Sequence, residues 1–130
     1  MRALTFDHIS LHVHDLAKSA RFYAEILGLQ EIENKTYRPT IRWFGFDGHR
    51  SVHLISGGAA DPPPERPLSS HFALSSPRFD EAVQFLKDRR IEFVNARGEP
   101  GEIGFRADGV RQIYFRDPDN YWIEINEAQG

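Results

Sequence analysis

Polar and apolar positions alternate near the start of the chain. His8, Ser10, His12 and His14 interleave with Ile9, Leu11 and Val13, the pattern of a strand buried on one face. After Asp15, a residue suited to cap a helix, the spacing becomes helical through Leu16, Ala20, Phe22, Tyr23, Ile26 and Leu27. Gly28 stands where such a helix would end. Short segments at 29–33, 40–46 and 51–56 predict three further strands. The second half repeats the order. A strand is expected over 70–75, and a helix over 78–90 with Phe79, Ala82, Val83, Phe85 and Leu86 on its apolar face. Strands follow near 91–95, 102–107, 110–115 and 121–127. Asp117-Pro118-Asp119-Asn120 reads as a tight turn.

Each half is therefore a β-α-β-β-β unit, module one over 1–56 and module two over 70–130. The connector 57–69 carries Gly57-Gly58 and Pro62-Pro63-Pro64. A small mixed sheet with one helix leaves its other face bare. The expectation is an α+β domain spanning 1–130, in which two curved mixed sheets form a cleft and the helices cover the outer face.

The repeat also locates candidate chemistry. His8 and His71 stand on the first strands of the two modules, and His53 and Glu124 on the last. Each is flanked by large apolar residues, Ile9, Val52 with Leu54, Phe72, and Ile123 with Ile125. Side chains alternate faces along a strand. If the apolar neighbours pack on the helices, these four point to the other face. Imidazoles and a carboxylate without thiolates suit Zn, Ni, Fe(II), Co or Mn. His8, His71 and Glu124 alone make a two-His-one-carboxylate triad; His53 is either a fourth ligand or a base beside the metal.

Composition narrows the classes. The chain has 130 residues, 40% hydrophobic and 27% charged, with a net charge of −3. No basic stripe points to nucleic acid, and no apolar run is long enough for a membrane span. With no cysteine, disulfides and thiol nucleophiles are excluded. No signal-peptide pattern opens the chain, which points to the cytoplasm.

Three stretches resemble the vicinal oxygen chelate superfamily, which includes glyoxalase I, bleomycin-resistance proteins and extradiol dioxygenases. They are the opening from Asp7-His8-Ile9-Ser10-Leu11 through Asp15-Leu16-Ala17-Lys18-Ser19 to Leu27-Gly28-Leu29, the segment His71-Phe72-Ala73-Leu74, and the ending Phe115-Arg116-Asp117-Pro118-Asp119-Asn120-Tyr121-Trp122-Ile123-Glu124. The ending is similar to that of glyoxalase I enzymes. The resemblance implies metal positions at His8, His53, His71 and Glu124, and a homodimer whose sites lie within one chain or are shared between two. Many glyoxalase I sequences carry Glu at the position of His53, so this chain departs there.

The leading expectation is a glyoxalase-like lyase or isomerase acting on a small substrate, such as a thiol adduct, chelated through neighbouring oxygens. Glu124 would shuttle a proton and His53 would be a second acid or base. Ser10, His12 and Trp122 share strand parity with these residues and are candidate substrate contacts; Arg42 and Tyr114 are candidates for an anionic group. Two alternatives are an Fe(II) ring-cleaving dioxygenase using His8, His71 and Glu124, and a metal-free drug-sequestering protein.

Overall fold

The computed structural model describes residues 1–128, in two compact units, Met1–Pro64 and Glu65–Gly130. In the first unit, β1 (His8–Val13) leads into α1 (Leu16–Arg21), followed by β2 (Gln30–Ile32), β3 (Ile41–Gly45) and β4 (Ser51–Ser56). The second unit runs β5 (His71–Ser75), α2 (Phe79–Asp88), β6 (Gly104–Phe105), β7 (Arg111–Arg116) and β8 (Trp122–Asn126). The sheets have orders β1-β4-β3-β2 and β5-β8-β7-β6. The first and last strands of each unit pair in parallel, and the other pairs are antiparallel. The expected α+β class with two mixed sheets is what the chain forms. Among the described residues no helix is long and apolar enough to cross a membrane.

Asp15 caps α1 as its type predicts, its Oδ1 accepting the Lys18 N–H at 3.0 Å. The helix is not regular to Leu27, however. After Arg21 it widens into a π-helical turn over Phe22–Ile26, in which the Leu27 N–H reaches the Phe22 carbonyl at 3.3 Å. That turn carries Tyr23 into full burial. Gly28, at φ 68°, takes the left-handed position that ends the helix.

The strand expected over 91–95 shrinks to a bridge at Val94, facing Tyr114 on one side and Pro100 on the other. Asn95 explains the break. Its Oδ1 accepts the N–H groups of Arg97 and Glu99, both at 3.0 Å, and so folds the chain into a loop. The strand expected over 102–107 is likewise cut to Gly104–Phe105. The turn at Asp117 forms as expected: the Asn120 N–H reaches the Asp117 carbonyl at 3.0 Å, with Asn120 at φ 66°.

Parity holds on the edge strands. In β1, Leu11 and Val13 are buried while His8, Ser10 and His12 are exposed. The last strands of the two units, β4 and β8, differ, because residues on both of their faces are buried. His53 and Glu124 are buried along with Val52, Leu54, Ile123 and Ile125. Register confirms the internal repeat residue by residue. His53 lies between Ser10 and Trp43, as Glu124 lies between Ala73 and Tyr114. His8 faces Ser51, as His71 faces Trp122.

Candidate functional site

Each unit brings two of the four candidate ligands together. In the first unit the His8 and His53 rings stack with centroids 3.9 Å apart. His8 Nδ1 lies 2.6 Å from the Asp7 carboxylate. A carboxylate only accepts, so Nδ1 carries a proton, which leaves Nε2 as the nitrogen that could bind a metal. His53 is sandwiched, with the Trp43 ring on its other face at 3.9 Å and parallel to it. Its Nε2 is 3.0 Å from Ser51 Oγ. Burial, with His8 beside it, pushes His53 down to about 4, so the ring is neutral at physiological pH.

In the second unit His71 Nε2 lies 3.2 Å from Glu124 Oε1. His71 Nδ1 is 2.8 Å from the Leu68 carbonyl, which can only accept, so Nδ1 carries a proton. Nε2 is thus the ring nitrogen turned on the carboxylate oxygen. That contact is favourable only with a cation between them, either a proton on Nε2 or a metal ion in its place. An imidazole nitrogen and a carboxylate oxygen are donors that would suit a divalent ion held by His71 and Glu124.

Glu124 is held as an anion. Burial alone would raise its affinity for a proton, but hydrogen bonds from Asn126, Tyr114 and Gln112, with His71 nearby, keep it below the ordinary carboxylate value. The Asn126 amide reaches Oε2 at 2.6 Å. The Tyr114 phenol, buried and bonded to this carboxylate, is pushed up to about 12 and stays protonated.

The candidate substrate contacts divide. Tyr114 adjoins the site directly, edge-on to His71 at 5.0 Å. Trp122 is the register partner of His71, and its Nε1 donates to the Arg66 carbonyl at 2.9 Å. Ser10 is exposed beside His53 in register. His12 shares the face, and its Nε2 bonds the Gly57 carbonyl at 2.5 Å. Arg42 lies opposite Leu54, on the helix-facing side of its sheet, and its guanidinium grips Glu31 through two bonds of 2.7 and 2.8 Å.

Sequence reasoning missed Asp7, Ser51, Trp43, Gln112 and Asn126. A signal for the last two existed: where unit one pairs Ile41 with Ile55, unit two pairs Gln112 with Asn126 at the equivalent register. Buried amides on an apolar strand require partners.

The donors fit a divalent ion two by two. Among the described residues no group of three or more His, Asp or Glu side chains is gathered that could hold a metal; the four expected ligands stand as two pairs, His8 with His53 in the first unit and His71 with Glu124 in the second.

The sequence profile of the Glyoxalase/Bleomycin resistance protein/Dioxygenase superfamily matches residues 5–125. The Bacillus subtilis protein YwbC is 32% identical over 128 residues, covering 95% of this chain and 97% of its own. A probable lactoylglutathione lyase of Vibrio parahaemolyticus is 29% identical over 122 residues, 91% of this chain and 86% of that relative. In structure, the fosfomycin resistance protein FosX from Listeria monocytogenes aligns with a TM-score of 0.75 at 26% identity, over 98% of this chain and 96% of the other. The chain belongs to the Glyoxalase/Bleomycin resistance protein/Dioxygenase superfamily.

Proposed function

We propose that the protein is a divalent-metal-dependent lyase or isomerase of the glyoxalase kind, acting as a homodimer on a small substrate with two neighbouring oxygens, such as a thiol adduct. The observation that carries this reading is the pairing of His71 with Glu124. An imidazole nitrogen and a carboxylate oxygen face each other at 3.2 Å while the other ring nitrogen is committed to the Leu68 carbonyl. We assign His8, His53, His71 and Glu124 as the ligand set for Zn, Ni, Fe(II), Co or Mn.

When bound, the cation supplies Lewis-acid polarisation of the substrate oxygens. Glu124, ionised at neutral pH, is the group that takes a proton from the carbon beside a carbonyl and returns it. Tyr114 and Asn126 keep its carboxylate in place. His53, neutral and buried, is a ligand or the second acid/base.

The test is metal analysis after native purification, then turnover of hemithioacetals and of catechols with each metal. Bound metal with hemithioacetal turnover supports the reading. Aerobic catechol cleavage with Fe(II) would replace it with a dioxygenase using His8, His71 and Glu124. Neither bound metal nor a gain on adding any of these ions would remove both and leave a metal-free binding protein.

A further inference from the structure

We propose that Asn126 is a positioning residue that holds Oε2 of Glu124 on the protein and turns Oε1 toward His71; the proposal rests on the metal reading above. Asn126 is 5% exposed and stands two residues after Glu124 on β8, on the same face. Its amide orientation is forced by its neighbours. Oδ1 accepts the Ser75 hydroxyl at 2.8 Å and the Ala128 N–H at 3.0 Å. The opposite edge, Nδ2, must then face Glu124, and it meets Oε2 at 2.6 Å. A short amide bond to a charged oxygen is among the stronger hydrogen bonds. With Oε2 engaged, Oε1 is the oxygen that meets His71 Nε2.

The repeat supplies an independent comparison. The equivalent of Asn126 in unit one is Ile55, beside His53. Imidazole is fixed through its own ring and needs no second donor to choose between oxygens. A carboxylate rotates and does need one. The polar residue occurs on the side that carries the carboxylate.

The test measures Co(II) and Zn(II) affinity by competition with a chromophoric chelator, together with the Co(II) visible bands, for wild type, Asn126→Ala, Asn126→Ile and Ser75→Ala. Removing such an orienting partner costs on the order of 10- to 100-fold in metal affinity. Asn126→Ile, which copies unit one and fills the space, should lose as much as Asn126→Ala, and both should shift the Co(II) bands. Ser75→Ala should lose less, because Ala128 still holds Oδ1. Wild-type affinity in a folded Asn126→Ile protein overturns the proposal, since packing alone would then suffice. If neither Asn126 variant folds, the exposed Ser75→Ala decides, with unchanged affinity overturning and weakened affinity supporting. A wild type that takes up neither ion overturns the metal reading itself and this proposal with it, a result distinct from variants that match a metal-binding wild type.

Discussion

Trp43 lies face to face with His53, ring centroids 3.9 Å apart and planes parallel, with His8 against the other face. Two aromatic covers exclude water from the imidazole on both sides. In metal-free protein His53 should therefore titrate at about 4 instead of its ordinary 6.5. The sign follows directly. Between those values the unfolded chain binds a proton that the folded chain refuses, so this contribution to stability is complete above 6.5 and is lost as pH falls toward 4. Following the His53 ring Cε1 proton by NMR checks it. A midpoint near 6.5 would mean that the ring is not shielded as described.

The indole makes a second prediction. Trp43 Nε1 is buried with no hydrogen-bond partner among the described residues. Trp43→Phe keeps an aromatic face on His53 and removes the orphaned N–H, whose burial costs about 1–3 kcal/mol. The smaller ring gives back part of that as lost contact, so the net change should stay within about 1 kcal/mol. Trp43→Ala removes the cover altogether and should cost about 3 kcal/mol, while raising the His53 titration point toward its ordinary value. Denaturant melts of the two variants separate the effects, and equal losses would contradict the account.

How much of this was legible in the sequence depended on which force fixed each feature. Alternation in β1 and the equivalence of His8 with His71 and of His53 with Glu124 follow from strand period and repeat order, and register bears them out. The π-helical turn at Phe22–Ile26 has the same apolar spacing as a regular helix, so periodicity could not reveal it. Val94 lost its strand to the side-chain bonds of Asn95, a local competition that hydrophobic pattern ignores. Arg42 shows the opposite lesson. Its charge suggested an anion contact, while parity, applied to β3 as it was to β1, puts it on the helix-facing side with Glu31. The Asp7–His8 bond and the amides around Glu124 are pairings between side chains, which a one-dimensional pattern records only as unexplained polar residues.

Glu124→Gln tests the central carboxylate. The amide oxygen can still accept from Asn126, and the side chain keeps its volume, so the fold should persist. The negative charge facing His71 Nε2 is gone, and so is the base. Turnover should fall by on the order of 10³-fold, with metal content reduced in the same preparation. Elemental analysis beside kinetics and circular dichroism reads all three. Full activity with full metal content would show that Glu124 is not the working carboxylate.

The turn before β8 sets where Glu124 begins, and Asp117 holds that turn. Its side chain is buried, and one oxygen, Oδ1, accepts the N–H groups of both Asp119 and Tyr121 at 2.9 Å. Asp117→Ala leaves two backbone donors without that acceptor, so it should cost about 2–4 kcal/mol, near the top of the usual range for one substitution. Asp117→Asn keeps an oxygen in the same place and loses only the charge, so it should cost clearly less. Because β8 starts at Trp122, loosening the turn should also weaken metal binding without touching a ligand. Urea titration of both variants, followed by chelator competition on the folded fraction, tests the two effects together. Equal stability for Asp117→Ala and wild type would mean that the Pro118 and Asn120 backbone conformations hold the turn by themselves.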